Sequence, residues 1–109
     1  MTHAEIDARS LALHRLVAEK VRRDPSLLRI AFENLARWRS KATSNDLESL
    51  AEWERLLDAG VDAALATATE ESERASTLRQ ASPFAGILTP SERTAFLRSW
   101  KVVYATHRP

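Results

Sequence analysis

The chain has 109 residues, 44% of them hydrophobic and 28% charged, with two glycines, four prolines and no cysteine. That is one domain's length with a modest core; it excludes disulfides and thiolate chemistry and argues against a turn-rich sheet protein. The net charge of +1 hides a segregation: residues 9–41 carry nine Lys/Arg against three Asp/Glu, residues 46–73 nine acids against Arg55 alone, and residues 74–109 six bases against Glu92 alone.

The first helix is expected from about His3 to Arg22, on the spacing of Ile6, Leu13, Leu16, Val17 and Val21. Asp24-Pro25 stops it, since the residue before proline is pushed out of the helical region. Asp24 can cap a second helix, about Pro25 to Ser40, with Pro25 at its first position and Leu28, Phe32 or Ala31, Leu35 and Trp38 at helical spacing. Residues 41–46 form a short polar loop ending in a cap from Ser44, Asn45 or Asp46. The stretch Asn45–Gln80 reads as the organising helix, with an apolar face through Leu47, Leu50, Trp53, Leu57, Val61, Leu65 and Ala68. Gly60 interrupts it, but the face stays nearly in phase, which favours continuity or a slight bend over a chain reversal. Beyond Val61 the face thins to Ala, Thr and Ser, small enough for close approach by an internal helix or by a second subunit. Residues 81–89 make a structured loop whose Phe84, Ile87 and Leu88 are apolar enough to enter the core. Thr89, Pro90 and Glu92 then form a capping box opening a last helix with Phe96, Leu97, Trp100, Val103 and Tyr104, and a fraying tail at 105–109. The fold expected is all-α: a bundle-like single domain, 1–109, of four to five helices.

Chemistry is sparse. His3, His14 and His107 show no metal-ligand spacing, and His14 reads as a surface or boundary residue. No nucleophile elbow or glycine-rich phosphate loop is present. Glu48 and Glu52, four apart, share a helix face with acids following at Asp58, Asp62, Glu70, Glu71 and Glu73, most simply a solvated surface. No enzyme and no cofactor is expected. The N-terminus, with Glu5 and Asp7, does not read as a signal peptide, and no run of about 18 apolar residues predicts a membrane span, so a cytoplasmic setting is expected. The charge segregation has two readings: neighbouring helices complement one another, or a polarised surface steers a charged partner. Basic residues at helix ends, Arg22, Arg23, Arg37 and Arg39, with Lys101 in the last helix, are candidates for nucleic-acid contact, although lysine and arginine there also complement the helix dipole. Three tryptophans are a heavy aromatic content for this length; two are expected in the core and one as an interface anchor.

Four segments, Leu13–Lys20 (LHRLVAEK), Asn34–Trp38 (NLARW), Glu52–Leu57 (EWERLL) and above all Leu78–Arg93 (LRQASPFAGILTPSER), together resemble small bacterial proteins encoded beside nucleotidyltransferase-like toxins. The chain departs from that pattern at Lys41–Asp46, which is poorer in proline and aromatics. The resemblance implies an antitoxin that binds a toxin and blocks its cleft. The acidic stretch 46–73 would then supply complementary charge to a basic or metal-loaded site. Partner contacts are expected at Glu48, Glu52, Trp53, Asp62, Glu70, Phe84 and Trp100. The alternatives are a small DNA-binding regulator and a structural or assembly subunit, and homo-oligomer formation is compatible with each.

Overall fold

A computed structural model describes residues 2–107, and their side chains except those of Asn45 and residues 102–107. Among the described residues there is no strand, and six α-helices follow one another: α1 (His3–Arg23), α2 (Leu28–Arg39), α3 (Ser44–Ala59), α4 (Val61–Ala68), α5 (Glu73–Gln80) and α6 (Pro90–His107). A 3-10 turn, Pro25–Leu27, links α1 to α2. The domain is all-α as expected, with six helices in place of four to five. The expectations for Val103, Tyr104 and the last two residues lie outside the described set, although α6 stays helical through His107, into the stretch expected to fray.

The extra helices come from the stretch read as one. Gly60 has φ +129° and ψ 171°, a backbone region that a Cβ makes costly, and it ends α3 and starts α4. A second break follows α4: Thr69 caps it, and Ser72 opens α5 by accepting the Ala75 N–H at 3.1 Å. Gly60→Ala therefore distinguishes the two pictures. In a continuous helix it would stabilise by about 1 kcal/mol. At this φ it should instead destabilise by about 1–3 kcal/mol, read as a lowered urea midpoint.

Caps fix the other ends. Thr2 and Glu5 form a reciprocal capping box on α1, each bond 3.1 Å. The box expected on α6 is present: the Glu92 N–H donates to Thr89 Oγ1 at 3.1 Å and the Thr89 N–H to Glu92 Oε1 at 2.8 Å. On α3 the capping position falls on Thr43 rather than on Ser44, Asn45 or Asp46, and its hydroxyl bonds the Asp46 carboxylate at 3.0 Å instead of the backbone. Asp24 likewise gives no side-chain cap to the turn after it; its carboxylate accepts from Ser26 Oγ.

In space α3 lies against α2 and α4, and α4 and α5 lie against α1. The core draws on each of these helices: Val17, Ala18 and Val21 from α1, Ala31 and Leu35 from α2, Trp53 and Leu57 from α3, Ala64, Leu65 and Ala68 from α4, and Leu78 from α5. The small-residue face of α4 is thus spent internally, with Ala64 and Ala68 fully buried. Leu47 and Phe32, expected on apolar faces, are instead 43% and 41% exposed. Leu50 and Trp53 carry the inward face of α3, and Leu28, Ala31 and Leu35 that of α2.

Candidate partner-binding surface

The segment 81–89 has little regular backbone pairing, so its carbonyls need other donors. Side chains from α1 and α2 supply them. Asn34 Nδ2 donates to the carbonyls of Pro83 and Ala85, both at 2.8 Å, while Arg37 bonds Asn34 Oδ1 and holds the amide in that orientation. Lys20 Nζ reaches the Ile87 carbonyl at 2.8 Å and the Glu92 carboxylate at 2.5 Å. Just upstream, Trp53 Nε1 donates to the Leu78 carbonyl at 2.8 Å. The Phe84 ring then plugs the core, 3% exposed, meeting Trp53 and His14 edge-on at centroid distances of 5.3 and 5.9 Å.

His14 is buried at 5% exposure, not at the surface as the sequence suggests. Its Nδ1 lies 2.7 Å from the Ser10 carbonyl, which only accepts, so Nδ1 carries the proton. Nε2 is then the acceptor for the Ser82 hydroxyl at 2.7 Å. Ser82 Oγ in turn accepts the Phe84 N–H at 3.3 Å. Both partners are thereby engaged in holding the loop. Burial pushes the His14 pKa below 6.5, opposed by the bond to Ser10 and reinforced by the Arg79 charge. The folded chain therefore binds this proton less readily than the unfolded chain does. Stability from His14 is complete above the unfolded value of 6.5 and falls as pH drops below it. Glu92 adds a second window: the Lys20 ammonium holds its carboxyl down to about 2, so its contribution is present above 4.5 and is lost as pH falls toward 2. Thermal unfolding followed from pH 7.5 to 3 should show Tm declining first below about 6.5 and again below about 4.5, and His14→Gln should remove the first decline.

Arg79, 7% exposed, closes the other side of this region. One of its Nη atoms donates to the carbonyls of Ala68 and Glu70, at 3.3 and 2.8 Å, completing the C-terminal end of α4. Its Nε has no hydrogen-bond partner, and burial lowers its pKa.

Between α1, the 81–89 loop and the start of α6 lies an open groove of about 570 Å³. Ile6 and Leu13 of α1, Leu88 of the loop, and Phe96 and Leu97 of α6 form its apolar surface above the buried Phe84, with Ile6 42% and Leu97 36% exposed. The apolar stripe of α6 continues past the groove, where Phe96 stacks on the half-buried Trp100 with centroids 6.3 Å apart.

The residues expected at a partner contact divide. Trp53 and Phe84 are core groups, 0% and 3% exposed, so no partner reaches them without opening the fold; this corrects their assignment to a surface. Trp100 is half-buried on α6, and Trp38 is half-buried against the core. Glu48, Asp62 and Glu70 are exposed on three different segments, α3, α4 and the turn after α4. Glu52 is held in ion pairs with Arg55 and Arg74, which pull its carboxyl pKa down. Further cross-element pairs, Arg39–Glu54 at 2.6 Å and Arg15–Glu71 at 2.7 Å, tie basic helices to the acidic stretch. Part of the charge segregation is therefore complementarity within the domain. Among the basic candidates, Arg22 and Arg23 end α1, while Arg37 and Arg39 lie in the last turn of α2, a helix about 18 Å long at the helical rise. Lys101 is exposed on α6.

Among the described residues no group of three His, Asp or Glu side chains can hold a metal ion, and no helix is long and apolar enough to cross a membrane. Comparison with known protein families, curated proteins and solved structures finds no match to this chain.

Proposed function

We propose that this chain is a non-enzymatic protein-binding module, and that its partner is a nucleotidyltransferase-like toxin that it neutralises. The observation that supports binding is the open apolar groove and its continuation along α6. A monomer of this size gains stability by covering Ile6, Phe96, Leu97 and Trp100, and partly exposed aromatic side chains beside arginine are a usual composition of an interface centre. The toxin as partner rests on the resemblance of the SPFAG-containing segment and its capped helix. The strong fixing of that segment by His14, Asn34 and Lys20 is consistent with a scaffold that presents α6. The test is a growth assay in which the protein encoded beside this chain is expressed alone and together with it. Growth arrest relieved by co-expression supports the reading, and arrest that persists with both proteins soluble rejects it.

A second reading, a small DNA-binding regulator, draws on the exposed Arg22, Arg23 and Lys101. It expects binding to the chain's own promoter that weakens steeply with salt. A structural or assembly subunit would use the same groove without relieving toxicity.

A further inference from the structure

The groove is electrostatically one-sided. Arg9, Arg79 and Arg93 line it together with His14, and among the described residues no carboxylate does. Arg9 and Arg93 make no ion pair within 4 Å among the described residues. Of the nearby carboxylates, Glu92 is paired with Lys20 and Glu71 with Arg15, while the Asp7 and Glu70 charges act on Arg79, so Arg9 and Arg93 are the cations the groove leaves for a partner. The floor between these cations is apolar, with Leu13, Leu88 and Phe96. Along α1 the lining runs from Ile6 to Val17, about 16 Å at the helical rise, or about three turns. Two helices, α1 and α6, wall the groove and leave an apolar cleft between them, the arrangement that a third helix completes by packing its own ridge into the gap.

We infer that this groove is the docking site for an acidic amphipathic helix of the partner protein. Its apolar residues, three or four apart, would cover Ile6, Leu13 and Leu97, while Asp or Glu on its flanks would meet Arg9 and Arg93. The inference rests on the protein-binding reading and deepens it. It also moves the contact away from the acidic stretch: Glu48 and Asp62, on α3 and α4, do not line the groove. Charge complementarity calls for an acidic occupant, and the α6 of a second copy, with Arg93, Arg98 and Lys101 against Glu92, would set like charges against the same cations.

The test uses the full chain and two labelled helical peptides of about 18 residues, with leucine at every third or fourth position and glutamate or lysine on the flanks. Titration by fluorescence anisotropy should give saturable binding of the glutamate peptide, at least about tenfold tighter than the lysine peptide and weakening with salt. The double variant Arg9→Glu/Arg93→Glu should reverse that preference, Leu97→Ser should weaken both peptides, and Glu48→Lys/Asp62→Lys should leave the preference intact. Circular dichroism and Tm confirm that each variant is folded; Arg9 and Arg93 lie outside the core, which makes folding of the double variant the expected outcome. Equal affinity for the two peptides, or a preference that survives Arg9→Glu/Arg93→Glu, overturns the inference. So does a dimer, seen by light scattering, that excludes the glutamate peptide, because the occupant is then a second copy. If Arg9→Glu/Arg93→Glu still binds and neutralises the toxin, the groove assignment fails while the protein-binding reading stands. If the unaltered chain neutralises nothing yet keeps the peptide preference, the toxin reading fails and the groove stands.

Discussion

Trp53→Ala should destabilise the domain by about 3–5 kcal/mol, the range for truncating a large buried aromatic, and should leave little folded protein at 37 °C. Several observations set this at the upper end. The side chain is fully buried, so the whole ring volume becomes a cavity. Its Nε1–H is the donor for the Leu78 carbonyl at the end of α5, and that carbonyl would be left without it. The ring is also one wall of the Phe84 site, so the SPFAG loop loses its edge-on contact at 5.3 Å. Trp53→Phe separates these effects: it keeps most of the apolar volume and loses the hydrogen bond, and should cost about 1–3 kcal/mol. Denaturation in urea, read by circular dichroism, measures both. A loss below about 1 kcal/mol for Trp53→Ala would mean that α3 and the loop do not meet as described.

Asn34→Ala should cost about 2–4 kcal/mol, more than a typical surface or boundary polar residue. The Asn34 amide fills two acceptors at once, the Pro83 and Ala85 carbonyls, and the residue is only 4% exposed. Removing it strands two carbonyls and also the Arg37 donor that faces Oδ1. Because those carbonyls flank Phe84, the damage should be local before it is global. Amide exchange should rise at residues 82–88 while the α3–α4 core stays protected. Asn34→Asp tests the orientation argument. A carboxylate has no hydrogen to give the two carbonyls, and the Arg37 already bonded to Oδ1 does not supply one to them, so it should be at least as harmful as alanine despite its matching shape. Uniform protection across the loop in Asn34→Ala would contradict the role assigned to this amide.

Much of the fold was legible because burial follows local spacing. Val17 and Val21, Leu28 and Leu35, and Leu50, Trp53 and Leu57 lie on the inward faces that their three- and four-residue steps imply. The Thr89–Glu92 box is a local signal and appears as read. The break at Gly60 was hidden by the same rule that revealed the helices. Leu57, Val61 and Leu65 step by four, and a helix that restarts in phase after one extended residue leaves the same pattern as one that never stopped. The break before α5 carried a signal in Ser72, a capping residue followed by Glu73, that the apolar pattern outweighed. The surface was less legible. His14 and Asn34 look like ordinary helix residues because their partners, Ser82 and Pro83, are 68 and 49 residues away in sequence. Phe84 was readable as a core plug, and the structure shows it to be one, which removes it from the partner surface. The groove itself is lined by both Arg9, from α1, and Arg93, from α6, a pairing of segments that their charges alone cannot reveal.

The most direct measurement is affinity capture of the tagged full chain from its native cell, with the mass and stoichiometry of the eluted complex determined under native conditions. The expected result is one near-stoichiometric protein partner, nucleotidyltransferase-like and toxic when expressed alone, retained at moderate salt and lost from the Arg9→Glu/Arg93→Glu chain. Elution of the unaltered chain alone, or with DNA in place of a protein, would contradict the protein-binding function.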